Sequence, residues 1–203
     1  QRANSRLPAS HGRPDQIKPP VSAPTTTICT PVESFEIAGS FEIAGNGCTL
    51  RGMSEQADIS YACEPDLDLA EFRRVLVESG LGATRPVDDE ARLQAMLSGA
   101  NLVLTARLAH SNGTLANGAL ADGTLVGVAR AVTDFHWVCY VCELAVSGSA
   151  QGFGVGRGLL GEMRRRLGPA VAITLVSMPG AVGFYERAGM ERVADSFWLA
   201  REK

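Results

Sequence analysis

The sequence contains no apolar run that approaches the length of a membrane span, and its first residues lack the apolar core of a secretory signal. It also lacks an excess of basic residues, because 19 lysines and arginines stand against 22 aspartates and glutamates. Without a positive field, nothing in the composition attracts nucleic acid or an anionic membrane. We therefore expect a soluble, cytoplasmic protein with no nucleic-acid partner and no membrane partner.

Histidine and cysteine, which are common ligands of transition metals, are also few, with 3 and 5 residues. The cysteines form an odd set whose spacing is not typical of a disulfide scaffold or a zinc site. Cys139 and Cys142 match a C-x-x-C pattern, but redox pairs lie at a helix N-terminus and these two lie within a predicted strand. Strand alternation places the two thiols on opposite faces, as packing groups. No metal site is predicted.

Residues 1–52 differ in composition from the rest of the chain. Their prolines are scattered among serine, threonine and glycine, and no apolar periodicity is sustained. This pattern predicts a poorly ordered tail or extension, and Met53, the first methionine, is a candidate for the natural start. Residues 53–203 are expected to form one domain, since the chain is 45% hydrophobic overall.

Apolar periodicity predicts a series of strands and helices after residue 58. The predicted strands cover 59–63, 101–109, 124–132, 137–146 and 170–176, and residues 191–201 are expected to supply one or two last strands. The predicted helices begin at Pro65, near Asp88, after Gly154 and at Pro179. The run 170–176 is nearly all apolar, which is typical of a central strand covered on both faces and parallel to the strand at 137–146.

The stretch Gln151–Gly156 links a predicted strand to a predicted helix. Gly152, Gly154 and Gly156 let the backbone approach a ligand, and the free N–H groups of a helix start bind phosphate oxygens. The glycine spacing fits neither the dinucleotide fingerprint nor the P-loop, whose final Gly-Lys-Ser/Thr is absent. The stretch therefore predicts a different phosphate-binding turn, with a tight loop of no binding role as the alternative.

Residues 151–156, Gln-Gly-Phe-Gly-Val-Gly, resemble the acyl-CoA signature Q/R-x-x-G-x-G/A of the GNAT family of N-acetyltransferases. Upstream lies Glu143–Val146, and downstream Gly183–Met190 resembles the family's F-Y-E-x-x-G-F segment, with methionine for the last phenylalanine. The resemblance covers roughly residues 53–203. It implies the α/β GNAT acyl-CoA N-acyltransferase fold, in which a mixed central sheet is flanked by about four helices in the order β-α-α-β-β-β-α-β-α-β.

The resemblance also implies an activity. The expected enzyme moves an acetyl group from acetyl-CoA, its cosubstrate, to a primary amine of a small molecule by direct attack, without a metal. Two alternatives stay open: an acetyltransferase for protein N-termini or lysines, and a non-catalytic module that senses acyl-CoA. The expected assembly partner, if any, is a second copy of the chain in a homodimer.

The resemblance assigns roles to particular residues. Glu143 is the candidate general base, acting directly or through water, and an ion pair is the alternative role. Tyr185 is the candidate general acid for the CoA thiolate, with packing beside Phe184 as the alternative. The implied cofactor-binding residues are Leu144, Ala145, Val146, Gln151, Gly152, Phe153, Gly154, Val155, Gly156 and Arg157.

Two parts of the site are less well defined by the sequence. Many relatives carry an asparagine after the central strand, where this chain has 177–180, Ser-Met-Pro-Gly, so the pantetheine contacts there are open. The resemblance implies an acceptor pocket formed by the first two helices, the loop between them and the last hairpin. Its candidate lining residues are Tyr61, Arg85, Phe135 and Trp198, and none of them specifies a substrate.

Overall fold

The computed structural model describes residues 59–108 and 123–202. The strands are β1 (Ile59–Cys63), β2 (Leu102–Leu108), β3 (Leu125–Thr133), β4 (Val138–Val146) and β5 (Ala172–Thr174). The helices are α1 (Leu69–Glu78), α2 (Glu90–Ser98), α3 (Val155–Leu167) and α4 (Val182–Arg187). The predicted tail at 1–52 and Met53 lie outside the described residues, as does the stretch 109–122 between the predicted strands at 101–109 and 124–132.

The five strands form one mixed sheet in the order β1-β2-β3-β4-β5. The first four are antiparallel to their neighbours, whereas β5 pairs with β4 in parallel. The predicted α/β fold with a mixed sheet and about four helices is confirmed, as is the parallel pairing of the last two strands. Because α3 connects β4 to β5, it crosses one face of the sheet, as a parallel connection requires.

The two faces of the sheet carry separate hydrophobic clusters. On one face α3 buries Val155, Leu159 and Met163 against the sheet. The approach is close at Gly127 of β3, where an added Cβ would lie 2.8 Å from a methyl group of Val155. On the other face α1 and α2 bury apolar side chains against β2, β3 and β4: Phe72, Val75, Leu76, Leu93 and Leu97.

Acidic side chains fix the starts of α1 and α2. The Asp68 carboxylate accepts the Glu71 N–H at 2.9 Å, and the Asp89 carboxylate accepts the Arg92 N–H at 3.0 Å. The cap at Asp68 explains why α1 begins a few residues after the predicted start at Pro65. Among the described residues, no helix is both long and apolar enough to cross a membrane.

The last part of the chain departs from the predicted pattern. β5 has only 3 residues and lies at the edge of the sheet, with Ala172 and Thr174 exposed, so it is not a strand covered on both faces. The prediction of one or two strands within 191–201 is wrong as well, because the described chain forms no strand after α4. A strand as short as β5 has few backbone groups with which another strand could form hydrogen bonds. Residues 191–202 are exposed throughout.

Candidate active site

The candidate site is built around a β-bulge in β4. Arg130 of β3 pairs with Glu143, whereas the next residue, Ala131, pairs with Val141, so Cys142 is the extra residue. The bulge reverses which faces the side chains occupy. Before the bulge, Val141 packs in the hydrophobic cluster that α3 covers, which we call the α3-side cluster. After the bulge, Leu144 packs on that same face of the sheet. Glu143 therefore faces α1 and α2.

Beyond the bulge, β4 and β5 separate. Their pairing ends at Tyr140 and Thr174, while β4 continues to Val146. A cleft of about 1710 Å³ opens where the two strands part, and both 141–144 and 175–178 line it. One edge of β4 therefore presents backbone groups to the cleft instead of to a neighbouring strand.

The direction of those backbone groups follows from the pairing of β4 with β3. The Ser147 N–H donates to the Val126 carbonyl at 2.9 Å. Since successive N–H groups of a strand point in opposite directions, those of Leu144 and Val146 point into the cleft. The Val146 carbonyl accepts a hydrogen bond from Nε2 of Gln151 at 3.0 Å. Gln151 thus ties the following loop to the end of β4.

The glycine-rich loop forms one end of the cleft. Gly152 and Gly154 have φ of 87° and 82°, the left-handed region that glycine adopts without strain. Gly154 is the N-cap of α3 and gives it no side-chain cap. The first helical hydrogen bond runs from the Gly158 N–H to the Gly154 carbonyl, which leaves the three preceding N–H groups without intrahelical partners. We call this part, formed by residues 151–157 except Phe153, the loop end of the cleft.

Helix α4 brings Tyr185 to the cleft. A Cβ added to Gly156 would lie 3.0 Å from the Phe184 ring, so α4 packs directly against the start of α3. The Phe184 and Tyr185 rings meet edge to face with centroids 5.0 Å apart. Arg157 fixes the other end of α4 by donating to the Arg187 carbonyl at 2.7 Å. Burial raises the pKa of Tyr185 above its usual range, so the phenol keeps its proton at neutral pH.

Glu143 holds two arginines at the bulge. Its Oε1 accepts from Nε of Arg85 at 2.7 Å, and its Oε2 accepts from Nε of Arg130. The Glu143 side chain is only 3% exposed. Arg85 also donates to the Cys142 carbonyl at 3.0 Å, and Arg130 donates to the Met96 carbonyl at 2.7 Å. We call the part of the cleft formed by these residues and Arg92 the bulge end.

The two cysteines of β4 behave differently. Cys139 is a free thiol buried in the α3-side cluster, which confirms a packing role, and burial raises its pKa to about 11. Cys142 is a free, half-buried thiol at the cleft wall, and burial raises its pKa too. Both thiols therefore stay protonated at neutral pH. Simple alternation does not fix their relative orientation, because the bulge lies at Cys142.

The structure brings most of the predicted site residues together around one cleft. Glu143, Tyr185, Arg85 and Trp198 line it. Eight of the ten predicted cofactor-binding residues line it too: Leu144, Val146, Gln151, Gly152, Gly154, Val155, Gly156 and Arg157. Ala145 lies in the α1-side core and Phe153 is exposed outside the cleft. Tyr61 and Phe135 pack against the α3-side cluster, so they do not join Arg85 and Trp198.

Sequence reasoning missed Arg130 and Arg92. Arg130 is a charged residue in a strand whose other residues from 125 to 131 are apolar and buried. A charge there requires a partner, and Glu143 in the next strand is the nearest candidate by sequence. That signal could have identified the ion pair. Nothing in the sequence singles out Arg92, which is one of several charged residues on α2.

Comparison with known families identifies the class of protein. The family model described as an acetyltransferase (GNAT) domain matches residues 88–198, which is more than half of the chain. The chain belongs to the GNAT family of acetyltransferases. Comparison with curated proteins finds no significant match.

Solved structures share the fold. A putative acetyltransferase from Deinococcus radiodurans has a TM-score of 0.53 and 23% identity, over 76% of this chain and 94% of that one. A GNAT-family acetyltransferase from Streptococcus pneumoniae has a TM-score of 0.53 and 24% identity, over 71% of this chain and 100% of that one. AAC(6')-Iy, in complex with the bisubstrate analogue CoA-S-monomethyl-acetylneamine, has a TM-score of 0.50 and 16% identity, over 72% and 100%. At these identities the likeness establishes the fold.

The ion pairs of Glu143 predict a stability effect. Glu143→Gln removes the charge that compensates Arg130, whose side chain is 8% exposed. We expect the free energy of unfolding to fall by about 3 kcal/mol, as for other buried pairs that lose one partner. Urea denaturation measures this. The control is Glu186→Gln, whose pair with Arg192 is exposed, and we expect a change below about 1 kcal/mol. Equal effects of the two variants would contradict a buried, structural pair.

Proposed function

We propose that this chain transfers an acetyl group from acetyl-CoA to the primary amine of a small molecule, by direct attack of the amine. The observation that carries the proposal is the continuity of one cleft, which runs from the uncapped start of α3 along the free edge of β4 to the bulge. The GNAT family uses acetyl-CoA. The fold likeness to AAC(6')-Iy, which binds a bisubstrate analogue containing CoA, supports the same use of the cleft.

The residues at the loop end suit a diphosphate. Three N–H groups at the positive end of α3 have no intrahelical partner, and Gly154 brings no side chain between them and a ligand. Further along the cleft, the N–H groups of Leu144 and Val146 are available to a chain of amide groups such as pantetheine. We assign diphosphate binding to residues 151–157 and pantetheine binding to this edge of β4.

The reaction has two proton requirements. Acetyl-CoA supplies the acetyl group in activated form, as a thioester. The amine must lose a proton while it forms the new C–N bond, and the thiolate released as the C–S bond breaks must gain one. We assign the second task to Tyr185, because its phenol lies at the cleft and burial raises its pKa. N–H groups at the free edge of β4 are the donors that we assign to the developing oxyanion.

Glu143 is the base predicted from the sequence. In the structure each of its oxygens accepts a guanidinium hydrogen bond, and almost none of its side chain is exposed. We therefore assign it the alternative role, in which it positions Arg85 and Arg130 at the bulge. In that role Glu143 accepts no proton, and the proton that the amine loses passes to solvent. Base catalysis by Glu143, directly or through water, stays the alternative prediction.

The loop end predicts a binding effect for Gly156→Glu. The added side chain puts a negative charge among the N–H groups assigned to the diphosphate, so we expect the Kd for acetyl-CoA to rise at least about tenfold. Isothermal titration calorimetry measures it. Gly161→Glu adds the same charge to the same helix where nothing lies within 4 Å, and its affinity should stay near that of the parent. Gly156→Ala controls for packing against Phe184. Unchanged affinity in folded Gly156→Glu would refute the assignment.

The assignment of Tyr185 predicts an effect on turnover. Tyr185→Phe keeps the ring and removes the proton donor, so we expect kcat for thiol release to fall by about a hundredfold, the low end for general acids, because a thiolate leaves readily. Acetyl-CoA affinity should hold, since the hydroxyl acts on charge that develops in the transition state. Tyr61→Phe makes the same change outside the cleft and should keep full turnover. Full turnover in Tyr185→Phe would leave Tyr185 as a packing residue.

A further inference from the structure

The bulge end of the cleft has a positive charge that the assigned mechanism does not use. Arg85, Arg92 and Arg130 line this part, and Glu143 is its carboxylate. The other carboxylate of the cleft lining, Glu202, is exposed and adjoins Arg201 in the chain. Glu143 already pairs with two of these arginines. Two guanidinium charges therefore lack a counter-charge at the wall of the bulge end.

Arg130 has donors directed to no protein acceptor. Its Nε donates to Glu143 and its Nη1 donates to the Met96 carbonyl, while its Nη2 makes no hydrogen bond within residues 59–108 and 123–202. The side chain is 8% exposed, and the residue lines the cleft. Ser147 Oγ is the one fully buried side-chain polar atom without a partner in the described residues, so Nη2 of Arg130 is reachable from the cleft and can donate to an acceptor there.

Arg92 adds a second free donor group beside Arg130. It lies on α2 one turn before Met96, and both residues line the cleft, as expected for helix positions four apart. Its own N–H is used by the Asp89 cap, but in the described part of the chain its side chain makes neither a hydrogen bond nor an ion pair. The Arg92 side chain is therefore available to an anion in the cleft.

These arginines lie away from the part assigned to the CoA diphosphate. The strand from Glu143 to its end at Val146 covers about 10 Å at roughly 3.3 Å per residue. The loop end begins beyond that strand and has its own arginine, Arg157. The bulge end is therefore placed for the acceptor and not for the diphosphate.

From this charge we propose that the amine acceptor carries an anionic group, a carboxylate or a phosphate, which Arg130 Nη2 and Arg92 bind. The inference rests on the proposed acetyl transfer and specifies its substrate class as small amino acids or phosphorylated amines. Guanidinium groups suit such oxyanions because their N–H groups match the oxygen spacing. The anionic group itself is unchanged by the reaction. Polycationic amines are poor acceptors here, because they meet like charge.

The test compares matched acceptors in a thiol-release assay with acetyl-CoA. Each α-amino acid is compared with its carboxamide, and phosphoethanolamine is compared with ethanolamine, which separates carboxylate from phosphate. The carboxamide has the less basic amine, so chemistry alone favours it. We expect at least one anionic acceptor to exceed its neutral counterpart about tenfold or more in kcat/KM, as one charged hydrogen bond permits.

Arg92→Gln tests the residue assignment. We expect KM for the best anionic acceptor to rise about tenfold while kcat changes little, so the preference over the neutral counterpart shrinks. Arg165→Gln is the matched control, because Arg165 is an arginine of α3 that pairs with Glu162 and lies outside the cleft. It should keep the full preference. Arg130→Lys keeps the positive charge but loses the paired N–H donors of the guanidinium group, so it should also raise KM for the anionic acceptor.

Two results would overturn the inference, and they differ. If neutral and anionic partners react equally in the parent protein, acetyl transfer stands and the anionic acceptor is wrong. If Arg92→Gln keeps the parent preference, the arginine assignment is wrong. Absence of thiol release with every amine would instead overturn the proposed function, and the acceptor inference with it.

Discussion

The bulge in β4, held by the ion pairs of Glu143, is the constraint on which the cleft depends. It reverses the side-chain phase of the strand, so Glu143 points toward α1 and α2. There it binds Arg130 from β3 and Arg85 from the segment before α2. These bonds fix the α1–α2 connection against the strand at the point where β4 and β5 part. A buried pair of this kind contributes little net stability but strongly penalises the loss of either partner.

The loop end of the cleft and the order of the first nine strands and helices were predictable from the sequence. The loop follows a β-rich run and opens an amphipathic helix, and both features are local in the chain. Its glycines took the expected positions, with Gly152 and Gly154 in the left-handed region. The caps of α1 and α2 are local as well, since Asp68 and Asp89 bond N–H groups three residues later. Local signals of this kind survive folding because tertiary contacts do not oppose them.

The parts that sequence reasoning missed depend on pairing between distant segments. A bulge shifts the pairing register between two strands. Strand alternation therefore could not assign the thiols of Cys139 and Cys142 to faces of the sheet. The apolar run at 170–176 predicts a long covered strand, yet β5 ends at Thr174 because β4 diverges. The apolar residues within 191–201 have no long neighbouring strand with which to form backbone hydrogen bonds. Arg92 became notable only once α2 was placed beside the cleft.

The cleft thus combines two charge environments on one strand, an uncapped helix start at the loop end and free guanidinium groups at the bulge end. The central claim is that an acetyl group passes between ligands bound at these two ends. The most direct measurement incubates the full chain with acetyl-CoA and the amine panel and follows free thiol and acetylated amine together, by thiol titration and mass spectrometry. If the transfer occurs, thiol and N-acetyl product appear in equal amounts and only when an amine is present. Thiol release without an acetylated amine, or tight acetyl-CoA binding without any release, would contradict it.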